Sequence, residues 1–193
     1  MDALSAIRGP ADVGTDWVFG YGSLIWNPEF DFEQSERARL QGYHRAFCIG
    51  SHRYRGTPDN PGVVLGLDRG GAYTGIAYRL RTQTRLQALQ LLFDREMPDW
   101  SARVYQPRIV PIRLNDGRMI TALAFVADRQ SPAYQRLSEA QVLERLACCH
   151  GARGPNRDYA INTWRALESH GFTDRRLRRI GLALLVSDLT PAR

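Results

Sequence analysis

Residues 104–127 read VYQPRIVPIRL-NDG-RMITALAFVA, and this stretch decides the fold class. Two β-prone runs, Val104–Leu114 and Arg118–Ala127, flank Asn115-Asp116-Gly117. Asp-Gly between such runs is the strongest short-range hairpin signal, because the turn needs residues that tolerate positive φ. N-terminal to it, residues 42–50, 62–68 and 72–80 mix β-branched and aromatic residues between Gly, Pro and Asn boundaries, so they predict strands. Trp17–Tyr21 is a further short run, and it ends on Gly22-Ser23. Between strands and hairpin, Leu86, Leu89, Gln90, Phe93 and Met97 recur at helical spacing, and Pro98 stops that helix. On the C-terminal side, Ser138-Glu139-Ala140-Gln141 is a capping box opening a helix to about Cys149. Asn156 is a candidate cap for a helix with the inward stripe Tyr159, Ala160, Thr163, Trp164 and Leu167, stopped by Gly171. Thr173 is a candidate cap for a last helix. Strands first and helices gathered late predict one α+β domain: a small, mainly antiparallel β-barrel or sheet with flanking helices and a helical C-terminal third. Its expected span is residues 17–187, between a flexible N-terminal tail, 1–16, and a C-terminal tail, 188–193.

The chain has 193 residues, of which 44% are hydrophobic and 24% charged, so it builds an ordinary core. No run approaches the ~20 apolar residues of a membrane span, and residues 1–16 lack the apolar region of a signal peptide. Three Cys without framework spacing argue against a disulfide scaffold and for a cytosolic location. All 26 basic residues are Arg, which excludes a P-loop lysine, a Schiff-base lysine and pyridoxal-phosphate chemistry. The net charge of +6 raises the question of an anionic partner. The densest basic run, Arg175–Arg179, opens an apolar helical segment and reads as its solvated face. No nucleic-acid-binding signature accompanies it, so nucleic acid stays a third-ranked reading, and a field that attracts a small anionic substrate is compatible with the charge without following from it.

Three segments carry candidate chemistry. A strand running directly into Gly22-Ser23 exposes backbone N–H groups around a residue without Cβ, a turn that cradles a carboxylate or phosphate if it is more than an ordinary turn. Glu96 stands at the C-terminal end of its helix among Leu91, Leu92, Phe93 and Met97. There the helix dipole and an apolar wall raise a carboxyl pKa toward the range useful to a general base; a solvated glutamate paired with Arg95 is the plain alternative. Gly151–Tyr159 is a tight glycine loop leading into a helix. Cys148-Cys149-His150 lacks a second ligand pair at zinc spacing, so no metal is expected, and Cys48 reads as a small buried residue.

Taken together, the segments resemble the ChaC-type γ-glutamylcyclotransferases, in flavour the bacterial branch. The resemblance rests on Trp17–Pro28 (WVFGYGSLIWNP), Gly42–Cys48, Arg55-Gly56-Thr57 with Pro61-Gly62, and Gly75–Leu80. It continues through Arg95-Glu96-Met97, Ala124–Asp128 with Ser131–Tyr134, and the glycine loop through Asn156 to Tyr159. It covers roughly residues 17–185, in the family's order. It implies a compact barrel with a cavity at one mouth and release of 5-oxoproline from γ-glutamyl compounds, with glutathione the preferred substrate and Cys-Gly the other product. No cofactor is implied. By match, Tyr21, Gly22, Ser23 and Leu24 form the loop that binds the γ-glutamyl α-carboxylate, Glu96 is the catalytic carboxylate, and Arg55 and Tyr105 contact the substrate. The chain departs from the family in two places. Pro98–Arg103 lengthens the loop before Tyr105, and Phe125 stands where several eukaryotic relatives carry Tyr. The rival expectations are the same cyclisation on other γ-glutamyl amino acids or amines, and a non-catalytic role in cation-transport regulation.

Overall fold

The structure is a computed structural model and describes residues 7–187. Five strands close into a barrel: β1 (Trp17–Gly20), β2 (Phe32–Ser51), β3 (Gly62–Leu80), β4 (Tyr105–Leu114) and β5 (Met119–Ala127), in the order β1-β3-β2-β4-β5. Pairing is antiparallel except where single parallel bridges, Val18 to Leu123 and Leu67 to Val126, complete the closure. Helix α1 (Arg85–Glu96) precedes the β4–β5 hairpin, whereas α2 (Glu139–Cys148), α3 (Asn156–Ser169) and α4 (Arg175–Ser187) follow it. The α+β architecture and the late helices are as the sequence predicts.

The hairpin forms as its turn residues require. Gly117 takes φ 91° and donates to the Leu114 carbonyl at 3.0 Å, while the Asp116 carboxylate accepts from Arg118 N at 3.0 Å. Strand β5 is buried on both faces and divides two cores. Ala122, Ala124 and Val126 join Phe19, Leu40, Leu67 and Ile112 inside the barrel; Leu123 and Phe125 face the cluster shared with the helices.

Two expected strands are longer than their sequence signal. β2 extends back to Phe32 through a segment of charged and polar residues, because only Ala38 and Leu40 need to face inward there. The expected strands 62–68 and 72–80 are one strand, β3. Gly42 alone opposes Gly70 and Gly71, a bulge in which all three take positive φ (81°, 106° and 71°), so the glycines bend the strand instead of ending it.

The helix ends differ in two places. Asn156 is not a cap: it is the first residue of α3, fully buried, and its amide bonds both Val63 N (2.7 Å) and Val63 O (2.8 Å), which welds α3 to β3. Asp174, not Thr173, caps α4 by accepting from Leu177 N at 2.8 Å. The Ser138 capping box and the left-handed Gly171 stop (φ 70°) form as expected. Residues 7–16, expected as part of a flexible tail, are docked instead. Val13 is buried in the core, Thr15 donates to Thr121 O at 2.7 Å, and Arg85 holds Asp16 at 2.7 Å. Residues 1–6 and the expected tail 188–193 lie outside the described residues. No described helix is long and apolar enough to cross a membrane.

Candidate active site

A cavity of about 1010 Å³ opens where β1 leaves the barrel and where β3 and β4 begin. It is lined by the Tyr21–Leu24 loop, Arg55, Glu96 and Tyr105, so every residue singled out by the resemblance meets in one place.

The loop after β1 is built to present donors. Tyr21 O accepts from the buried Arg45 at 3.2 Å, Gly22 O from Ile25 N at 3.0 Å, Ser23 O from Asn27 N at 2.8 Å, and Leu24 O from Tyr78 Oη at 2.8 Å. With all four carbonyls occupied, the N–H groups are what the loop has left to offer an anion. A Cβ on Gly22 would stand 3.3 Å from Tyr159 Oη, so glycine there keeps the backbone close to that hydroxyl.

Glu96 ends α1, and its side chain is 16% exposed. Burial raises its pKa above the usual carboxylate range; Arg95 and Arg153 pull it back and Glu29 pushes it further up. The helix C-terminus adds to the rise. The ionised form is therefore less favoured than that of an exposed carboxylate, the direction that suits proton exchange.

Arg95, which the sequence offered only as a plain ion-pair partner for Glu96, is the main structural surprise. Its side chain is 8% exposed. It donates to Asn27 O (2.6 Å), Glu29 Oε2 (2.7 Å) and Ser23 Oγ (2.7 Å), and its Nε lies 3.4 Å from Glu96 Oε1. One guanidinium therefore ties the loop after β1 to the helix end that carries Glu96. Nothing local signals this, since Ser23 and Asn27 are about 70 positions away.

Tyr159 belongs to the packing stripe of α3, yet it also lines the cavity and accepts from Leu65 N at 3.1 Å. A tyrosine in an apolar stripe carries a polar tip that needs a partner, which is the signal that was available. Tyr21 donates to Phe125 O at 2.8 Å, and Tyr105 to Leu65 O at 3.4 Å. Burial raises the pKa of all three phenols, Tyr159 to about 12, and the nearby Glu96 charge raises them further. Glu96 thus stands among neutral hydroxyls. Tyr105 reaches the cavity although the loop before it is long. Arg55 donates to Pro155 O at 3.1 Å and lies over the Tyr159 ring, 5.6 Å from its centre. The glycine loop is pinned by Ala152 N and Arg153 N, which donate to Arg53 O and Tyr54 O at 2.9 Å each, and this brings Arg153 to the cavity.

Other candidates lie elsewhere. Cys48 is buried in a small cluster with Ile49 and Ala127, and burial pushes its thiol up to about 12. Cys149 is buried while Cys148 and His150 are exposed, and among the described residues no group of three His, Cys, Asp or Glu is placed to hold a metal.

A family model described as "ChaC-like protein" matches residues 16–185. A protein of Escherichia coli K12 named glutathione-specific γ-glutamylcyclotransferase is 41% identical over 164 residues, 84% of this chain and 70% of that one. Glutathione-specific γ-glutamylcyclotransferase 1 of Mus musculus is 34% identical over 160 residues, 79% of this chain and 70% of that protein. Among solved structures, a yeast γ-glutamyl cyclotransferase specific to glutathione superposes with a TM-score of 0.79 at 20% identity, covering 87% of this chain and 94% of that one; at that identity the likeness speaks for the fold. A match running from just before β1 into α4, joined by relatives above 30% identity over most of the same span, means that this chain belongs to the ChaC-like protein family.

Proposed function

We propose that the chain is a glutathione-specific γ-glutamylcyclotransferase, a carbon–nitrogen lyase that converts glutathione to 5-oxoproline and Cys-Gly. The observation that carries this reading is the pairing, in one cavity, of a donor-presenting loop with a carboxyl of raised pKa. In the reaction the α-amine of the γ-glutamyl group attacks its own γ-carbonyl. The new C–N bond closes a five-membered ring, the old amide C–N bond breaks, and the cysteinyl amine leaves. Glu96, ionised, takes the proton from the attacking amine and returns it to the departing one. The backbone N–H groups of Tyr21–Leu24 bind the α-carboxylate and steady the oxyanion. Nucleophile and electrophile belong to one molecule, so the protein's main task is to fold the substrate into ring geometry. Glutathione carries a second carboxylate at its glycine end. Arg55 and Arg153 supply positive charge for it, and Tyr105 lines the space between.

This reading treats residues 17–187 as one γ-glutamylcyclotransferase-like domain working in the cytosol, without metal or organic cofactor, and without nucleic acid or membrane as a partner. The test is incubation of the purified protein with reduced glutathione, following 5-oxoproline and Cys-Gly by mass spectrometry. Both products from wild type, and neither from folded Glu96→Gln, are expected. Turnover of γ-glutamyl-alanine with glutathione left intact would shift the substrate to other γ-glutamyl amino acids. No product from any γ-glutamyl compound would overturn the enzymatic reading.

A further inference from the structure

A second cavity, of about 810 Å³, lies away from Glu96, between the outer wall of β2–β4 and the corner joining α3 to α4. Its charge is one-sided. Arg37, Arg39, Arg113 and Arg175 line it, with Asp116 and Asp174 as the carboxylates. Both carboxylates are already engaged elsewhere: Asp116 holds Arg118 at 2.6 Å, and Asp174 pairs with the buried Arg45 and caps α4. Arg37 donates to the His170 carbonyl and lies over the Phe172 ring, so no carboxylate neutralises it. Arg39, Arg113 and Arg175 have no acidic partner among the described residues. Arg39 and Arg113 also stand directly opposite each other on β2 and β4. Like charges in that register repel at close range and destabilise a sheet unless something neutralises them. Tyr73 also contributes to the lining, but its ring packs edge-on against Phe19 toward the barrel interior, on the face of the sheet opposite Arg39 and Arg113.

We infer that this cavity is a binding site for a small multivalent oxyanion, of the class of phosphate-bearing metabolites, held between Arg39 and Arg113 with Arg37 and Arg175 at its edges. Guanidinium groups fit such ions because their paired N–H groups match two oxygens at once. The volume lies within the range of small-molecule sites, and Ala72 and Thr74 on the neighbouring strand leave room for a compact ligand. The site does not depend on the proposed reaction, since none of these residues lines the Glu96 cavity.

The experiment is calorimetric titration of the whole chain with inorganic pyrophosphate at fixed ionic strength, with inorganic phosphate as the lower-charge comparison. Pyrophosphate is expected to bind saturably with one site per chain and more tightly than phosphate. Arg39→Gln and Arg113→Gln should each weaken it about tenfold, and exposed Arg136→Gln, remote in sequence and outside the cavity, should leave it unchanged. Melting curves give a second readout: pyrophosphate raises the Tm of wild type but not that of the Arg39→Gln/Arg113→Gln pair. The inference is overturned if wild type shows no saturable binding, or if Arg136→Gln weakens it as much, which would leave only a diffuse positive field. Loss of binding in Arg153→Gln with none in Arg39→Gln would move the ion to the Glu96 cavity and overturn it equally.

Discussion

The two walls of the Glu96 cavity are held in place by different means. On one side the chain from Tyr21 to Glu29 is tied down through its carbonyls, Ser23 Oγ and Glu29, with the guanidinium of Arg95 at the centre. On the other side Pro98–Arg103 rests on Trp100 stacked against Phe93, with ring centres 5.6 Å apart, on local bonds from Ser101 to the Asp99 carboxylate, and on Ser131 Oγ donating to Ala102 O at 3.1 Å. Each wall has one non-glycine residue in the left-handed region, Glu29 at φ 58° and Arg103 at φ 47°. Such a conformation costs free energy that neighbours must offset. Glu29 is gripped by Asn27 and Arg95, whereas the Arg103 side chain is 64% exposed and reaches Asp128 at 3.3 Å. The lesson is a division of labour. Under the proposed function, the tight wall is the one assigned to the γ-glutamyl half common to all candidate substrates, and the looser wall is the one assigned to the half that varies.

The sharpest way to break this division is Glu96→Gln, which should lower kcat by about 10³-fold. The same variant should be more stable than wild type at neutral pH. Burial raises the folded-state pKa, so ionising Glu96 costs stability as pH rises through it. Glutamine never pays that cost, and the difference should vanish below the ordinary glutamate range. Melting curves across pH check the sign; a Glu96→Gln chain less stable than wild type at neutral pH would contradict the raised pKa.

Next in size is Arg95→Gln. Releasing Ser23, Asn27 and Glu29 together should cost about 10²-fold in kcat/KM through misplacement of the Tyr21–Leu24 loop, and about 1.5–3 kcal/mol in stability. A loss confined to stability would mean the tight wall needs no guanidinium to keep its shape.

Trp100→Ala, on the looser wall, should change kcat for glutathione by no more than about threefold and lower stability by about 1 kcal/mol, the order of a stacked aromatic pair. Its effect should fall on the ratio of kcat/KM between glutathione and γ-glutamyl-alanine. An unchanged ratio would remove this wall from specificity. The smallest effect is expected of Arg103→Gly, where relief of the left-handed backbone opposes loss of the Asp128 ion pair, leaving stability within about 1 kcal/mol of wild type by denaturant titration.

Much of the site was legible because its signals are local. Gly22-Ser23 after a strand, and Glu96 before a helix-stopping Pro98, announce themselves within a few residues. Arg95 and Tyr159 did not, since their partners lie far away in the chain and their residue types fit a surface ion pair and a core stripe equally well. Asn156 shows the same limit: an asparagine before a helical stripe reads as a cap, and only the approach of β3 turned it into a buried clamp on Val63.

The sequence by itself determined the hairpin at Asn115–Gly117, the strands-then-helices order and the acid at the end of α1, because turn geometry, hydrophobic period and helix termination are short-range effects. Tertiary structure alone decided that β2 reaches back through a polar segment, that β3 bends at Gly70-Gly71 instead of breaking, and that residues 7–16 dock. It also decided that Arg95 is buried and that four arginines face one groove. Each of these depends on which distant surface removes a group from water, and that is settled only when the barrel closes.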